Sequence, residues 1–185
     1  MKLFGSYTSP YARHCRIALL DTGLTSEFID TDYAQSAAAS PTQRVPFLID
    51  GDLQLTDSSS ILRYFAEKVG APFIESVREQ EIFALTNTCM DATINLFLLE
   101  RDGIGASQSA YLQRQQNRID STLAQLEDVA ESLDDPSSVV AIRLACYLDW
   151  ASFRGRIEIE QYPMLVALLG RAKTLPHFVK TAIPG

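Results

Sequence analysis

The chain contains no Cys-x-x-Cys pair, and its three cysteines, Cys15, Cys89 and Cys146, are odd in number and widely spaced. That pattern excludes a paired redox centre and a disulfide framework, and favours a reduced, intracellular protein. Imidazole is equally scarce. With only His14 and His177 available, a zinc centre lacks ligands, so no metal is expected. Concentrated positive charge is missing too: 16 basic residues stand against 23 acidic ones, a net charge of −7. Nucleic acid and anionic membrane surfaces are therefore unexpected as partners, because both demand clustered Lys and Arg. Met1-Lys2-Leu3-Phe4-Gly5 lacks the apolar core of an export signal, and no apolar run of membrane-spanning length is expected. A cytoplasmic location is the expectation.

What is present has two textures. The 185 residues, 46% apolar and 21% charged, suffice for one large domain or two small ones. Lys2 to Ser6 reads as a strand, and Pro10 to Thr22 as a helix stopped by Gly23. Ser26 to Thr31 is a second strand, and Ala34 to Ser40 an irregular turn or short helix. Pro46-Phe47-Leu48-Ile49 and Leu53-Gln54-Leu55 flank Asp50-Gly51-Asp52, a hairpin signal because Asp-Gly readily takes positive φ. Ile61, Leu62, Phe65 and Val69 then mark one face of a helix from Ser58 to Val69. The order is β-α-β-α-β-β-α. After Gly70-Ala71-Pro72 the strand signals stop. Helices are expected over Arg78 to Asp102, Ser107 to Leu133, Ser138 to Ser152 and Tyr162 to Thr174, with a terminal turn over Pro176 to Lys180. The expected organisation is an α/β domain over 1–71, a linker over 72–77 and an all-helical domain over 78–185.

Three short motifs carry chemistry. Ser9-Pro10 is a helix start in its own right, a capping hydroxyl followed by proline in the first turn. Helix N-terminal N–H groups favour an anion, and a hydroxyl donor there favours a thiolate over a thiol. Val45-Pro46 opens the third strand, and Asp57-Ser58 supplies an N-cap and a first-turn residue to the third helix. Cys15 lies beyond the first turn after Ser9, on a stripe with Tyr11, Ala18 and Leu19, which reads as a buried, inert thiol. Arg13 can face either the site or solvent, and His14 reads as a surface or packing residue.

Ser9-Pro10-Tyr11-Ala12 sits where a thioredoxin-like protein carries Cys-Pro-Tyr-Cys, with both thiols replaced. Together with Val45-Pro46-Phe47-Leu48 and Asp57-Ser58, in this order within a β-α-β-α-β-β-α pattern followed by helices, the chain resembles the cytosolic glutathione transferase family. The opening Gly5-Ser6-Tyr7-Thr8-Ser9-Pro10-Tyr11-Ala12-Arg13 is most similar to a bacterial serine-type subgroup. The resemblance implies a thioredoxin-like N-terminal domain, an all-α C-terminal domain and glutathione as co-substrate, with no further cofactor. It implies that Ser9 hydrogen-bonds the glutathione sulfur and that a cis Val45-Pro46 bond offers the Val45 main chain to the cysteinyl amide. Asp57 and Ser58 would hold the γ-glutamyl end, and Arg44, where relatives commonly carry lysine, would meet the glycyl carboxylate. Gln35 and Gln43 are secondary polar candidates. The implied activity is conjugation of glutathione to small hydrophobic electrophiles by a homodimer formed through the third helix and the first helix of the second domain. The alternative is a non-catalytic interaction module on the same fold, resembling the stringent starvation proteins. A mixed-disulfide reductase or dehalogenase would require cysteine at position 9. One departure from the family is local: with Ser138 as helix cap, Ala141 occupies the acidic position of its capping box.

Overall fold

The computed structural model describes residues 1–184. Its first compact unit is Met1–Phe73 together with the chain from Lys173 onward, and its second is Ile74–Ala172. In the first unit, β1 (Lys2–Gly5), α1 (Pro10–Thr22), β2 (Glu27–Asp30), α2 (Tyr33–Ala39), β3 (Phe47–Asp50), β4 (Leu53–Leu55) and α3 (Ser58–Val69) follow one another. This is the thioredoxin-like β-α-β-α-β-β-α order, and Ala34 to Ser40 resolves in favour of a helix. The sheet runs β2-β1-β3-β4, with β1 parallel to β2 and antiparallel to β3, and β3 antiparallel to β4. Gly51 takes φ 60° in the β3–β4 turn, the conformation the Asp-Gly pair predicts.

The strands are short, so the sheet depends on what packs over it. Leu3, Phe47 and Leu48 of the sheet are fully buried, as are Ile61 and Phe65 of α3 and Ala12 and Cys15 of α1. Phe4 and Phe47 stack across the β1–β3 pair at 4.4 Å. The helix α1 approaches β1 so closely that a Cβ at Gly5 would lie 2.8 Å from the Ala12 Cβ. Glycine at position 5 is thus a packing requirement, and it seats the first turn of α1 directly over the end of β1.

The second unit holds α4 (Val77–Arg101), α5 (Ala110–Ala130), α6 (Val139–Phe153) and α7 (Pro163–Ala172), with short 3-10 turns at Ala106–Gln108 and Ile159–Gln161. The residues expected to open the second of these helices form the first 3-10 turn, and the α-helix itself begins at Ala110, capped by Ser109. Its core contains a polar seam between helices: the Cys89 thiol donates to the Tyr147 hydroxyl at 3.2 Å, and Thr93 Oγ1 lies 2.9 Å from the same oxygen. Burial pushes the Cys89 thiol up to about 12 and the Tyr147 phenol well above its ordinary value. Both stay neutral. Contrary to the expected absence of any such run, α4 is long and apolar enough to span a membrane. Its apolar residues Ile82, Phe83, Met90 and Leu96 are instead buried in the unit's core. At Ser138 the hydroxyl accepts from Ala141 N–H at 3.2 Å, and the reciprocal half of the box is missing because alanine has no acceptor.

The C-terminal turn departs from the expected partition. The helix α8 (Pro176–Lys180) belongs to the first unit, not to a helical domain over 78–185. Its anchor is Arg13, which turns inward instead of facing solvent. The residue is 1% exposed, and its guanidinium lies 4.0 Å from the centroid of the Phe178 ring and donates to the Phe178 carbonyl at 3.1 Å. A buried cation needs such partners, and sequence distance hides them. His14 is likewise a packing residue, buried beside it.

Candidate functional site

The strand register gathers the three motifs. Phe4 pairs with Phe47 and Leu48 with Leu55, so the end of β1, the start of β3 and the end of β4 lie along one end of the sheet. Ser9, Val45-Pro46 and Asp57-Ser58 follow or precede those strand ends by a few residues. Helix packing tightens the arrangement: the Cys15 thiol, fully buried on α1, reaches the Ser58 carbonyl at 3.9 Å. Cys15 therefore serves to join α1 to the first residue of α3 and is not presented to a ligand.

Ser9 is the N-cap of α1. Its backbone is extended (φ −80°, ψ 124°), and its Oγ accepts from Ala12 N–H at 3.2 Å. This uses a lone pair and leaves the hydroxyl hydrogen without an acceptor among the described residues, so Ser9 can donate outward while capping its helix. The loop before it is self-bracing. The Ser6 carbonyl accepts from Ser9 N–H at 3.1 Å, its Oγ accepts from Thr8 N–H at 3.3 Å, and the Ser6 and Thr8 hydroxyls are 3.1 Å apart. The bracing role of Ser6 was not anticipated. The Ser-x-Thr spacing of Ser6 and Thr8 is the signal for it.

The Val45-Pro46 bond is cis, and Val45 lies outside the ladder that begins at Phe47. Asp57 caps α3: its Oδ1 accepts from the Ser60 N–H at 3.0 Å and the Ser60 hydroxyl at 3.3 Å. Asp57 Oδ2 has no donor among the described residues, which leaves a carboxylate oxygen for an incoming ammonium. Ser58 is 6% exposed beneath it. Arg44, on the loop leading to Val45, is exposed. The two glutamines separate: Gln35 completes a capping box with Asp32 at the start of α2, accepting from Asp32 N–H at 3.0 Å, whereas Gln43 has φ 52° in the loop before Arg44. Helix N–H groups and a hydroxyl donor at one motif, and a carboxylate acceptor at another, suit a ligand that carries an anion and an ammonium at a distance.

A family model for the N-terminal domain of glutathione S-transferase matches residues 3–73. The chain is 34% identical to YibF of Escherichia coli K12, described as an uncharacterized GST-like protein, over 100% of this chain and 99% of the relative. Among solved structures, a glutathione transferase family member from Pseudomonas fluorescens Pf-5 with bound glutathione superposes with a TM-score of 0.87 at 26% identity, covering 100% of this chain and 99% of that one. A glutathione S-transferase from Methylobacillus flagellatus KT, also with glutathione bound, shares the fold with a TM-score of 0.86 at 23% identity and 99% coverage of both chains.

Proposed function

Because the chain belongs to the glutathione S-transferase family, we propose that it is a serine-type glutathione transferase, which ionises the glutathione thiol for attack on small hydrophobic electrophiles. The observation that carries this reading is the Ser9 hydroxyl, which caps α1 through its lone pair and keeps its hydrogen for a ligand sulfur. In that role Ser9 is the catalytic residue, but it forms no covalent bond. A thiol with a reference pKa of about 8.5 is mostly protonated at neutral pH, so hydrogen bonding and the helix N-terminus raise its reactive fraction. The rest of the tripeptide lies extended along the sheet end. The Val45 main chain meets its cysteinyl amide as an added strand would. Asp57 accepts from its α-ammonium, Ser58 and the N-terminal turn of α3 receive its α-carboxylate, and Arg44 meets its glycyl carboxylate. Holding thiolate and electrophile together adds proximity to activation. The protein works as a cytoplasmic homodimer on this reading, and glutathione is its only co-substrate.

The test is Ser9→Ala assayed with a chloronitrobenzene and on immobilised glutathione. Losing a hydrogen bond to a charged sulfur, worth about 1.5–3 kcal/mol, lowers turnover roughly 10- to 100-fold while retention on the resin persists. Unchanged turnover removes Ser9 from the mechanism. Failure of the native protein to bind the resin removes glutathione from it.

A further inference from the structure

Gln43 is the only residue other than glycine with positive φ among those described, at 52°. An L side chain adopts this left-handed region at a cost, and asparagine tolerates it better than glutamine. The surrounding structure over-determines it. Gln43 N–H donates to the Ser40 carbonyl at 2.9 Å, closing a turn with Pro41 at its second position. Ser40, 3% exposed, places its hydroxyl 2.9 Å from that of Thr42 and donates its own N–H to the Ser36 carbonyl at 2.9 Å. Ser36, 1% exposed, is the only buried residue of α2; its hydroxyl lies 3.0 Å from the Tyr33 carbonyl and 3.4 Å from that of Gln43. From β4, the Gln54 side chain donates to the Ala39 carbonyl at 2.9 Å, fixing the end of the helix that carries Ser40. A short helix that buries only a serine contributes little to the apolar core. What its end does instead is hold one backbone conformation two residues ahead of Val45.

We propose that the left-handed turn at Gln43, held by the Ser40 carbonyl on the Gln43 N–H and by the Ser36 hydroxyl on the Gln43 carbonyl, is a positioning device that presents the Arg44–Val45 main chain to the glutathione backbone, with Ser36 as its positioning residue. The inference rests on the glutathione reading and adds a determinant of affinity that is separate from thiol activation. Ser36 and Gln43 belong to the segment ahead of Val45 and not to the start of α1 that carries Ser9, so the device acts on binding of the tripeptide and leaves the chemistry of the bound thiol to Ser9.

Titration calorimetry with glutathione, and steady-state kinetics with a chloronitrobenzene, test this on the full chain. Ser36→Ala, which removes the hydroxyl from the Gln43 carbonyl, should raise the Kd and KM for glutathione about fivefold, the effect of one ordinary hydrogen bond. Both kcat at saturating glutathione and the pH dependence of turnover should stay as in the native protein. Gln43→Val, whose branched side chain resists positive φ, should weaken binding similarly with Ser36 intact. Gln43→Asn in the Ser36→Ala background should restore affinity, because asparagine supplies the conformation the clamp supplied. A Kd unchanged in both single variants, a shifted pH profile, or failure of asparagine to rescue overturns the inference while the glutathione reading stands. A native protein that gives no binding signal overturns both.

Discussion

The Ser9 hydroxyl caps α1 by accepting from Ala12 N–H, and in the proposed function its hydrogen goes to the glutathione sulfur. Removing the hydroxyl should raise the pKa of bound glutathione, because the hydrogen bond favours the ionised sulfur and its loss favours the thiol. The acid limb of the pH–rate profile is expected to move upward by about 1–2 units in Ser9→Ala. Turnover near neutrality then falls more than turnover in alkali; a parallel drop at every pH contradicts the assignment. A second single-residue prediction concerns Asp50, which accepts from the Tyr64 hydroxyl at 2.7 Å and pairs with Lys68 at 2.9 Å. The Tyr64 hydrogen bond, followed by that of Lys68, holds the Asp50 carboxyl below its usual range, while Asp50 in turn raises Lys68. A depressed carboxylate stabilises the fold above its unfolded value and loses that contribution as the pH falls through its folded one. In Tyr64→Phe the Asp50 titration, followed by carboxyl NMR, should therefore move up, and acid unfolding should begin at higher pH. None of this pairing was visible in the sequence, since Asp50 read only as a turn residue. Ser9, by contrast, was legible: a serine followed by proline at a strand-to-helix junction has few local meanings.

Helix ends account for much of what the elements add. The helix α7 begins at Pro163, which has no N–H, and the next two N–H groups, of Met164 and Leu165, both go to the Glu127 carboxylate on α5, at 2.8 and 2.9 Å. One side chain thus caps a helix from another helix and stitches the two together. Glu127→Ala should cost about 1–2 kcal/mol in urea denaturation, as a lost cap does. Glu127→Gln, which keeps one acceptor, should cost less; a neutral alanine variant denies the cap any role. This cap could not be read from sequence, because its partner lies far along the chain. The Ser76–Glu79 capping box of α4 was within reach, as its Ser-x-x-Glu spacing is local. The helices were otherwise legible from their apolar period. Local patterning left Ala34 to Ser40 open between turn and helix, and it read Ser107 as the start of a helix where a 3-10 turn forms first.

At the scale of the whole molecule the chain's end belongs with its beginning. Phe178 is 1% exposed and covers the Arg13 guanidinium one turn beyond Ser9. Phe178→Ala should destabilise the protein by about 3–5 kcal/mol through the lost ring and cavity, read from the thermal or urea transition. If the variant melts like the native chain, the terminal turn is not part of the first unit's core. The sequence by itself determined the β-α-β-α-β-β-α order, the all-helical stretch after it and the three motifs with their family, because periodicity, caps and turn residues act over a few neighbouring positions. The folded chain alone places Ser9, Val45 and Asp57 beyond the strand ends at one end of the sheet, turns Arg13 inward and holds Gln43 left-handed. Those outcomes depend on strand register and on partners distant in sequence, whose free energy exists only once the core has closed around them.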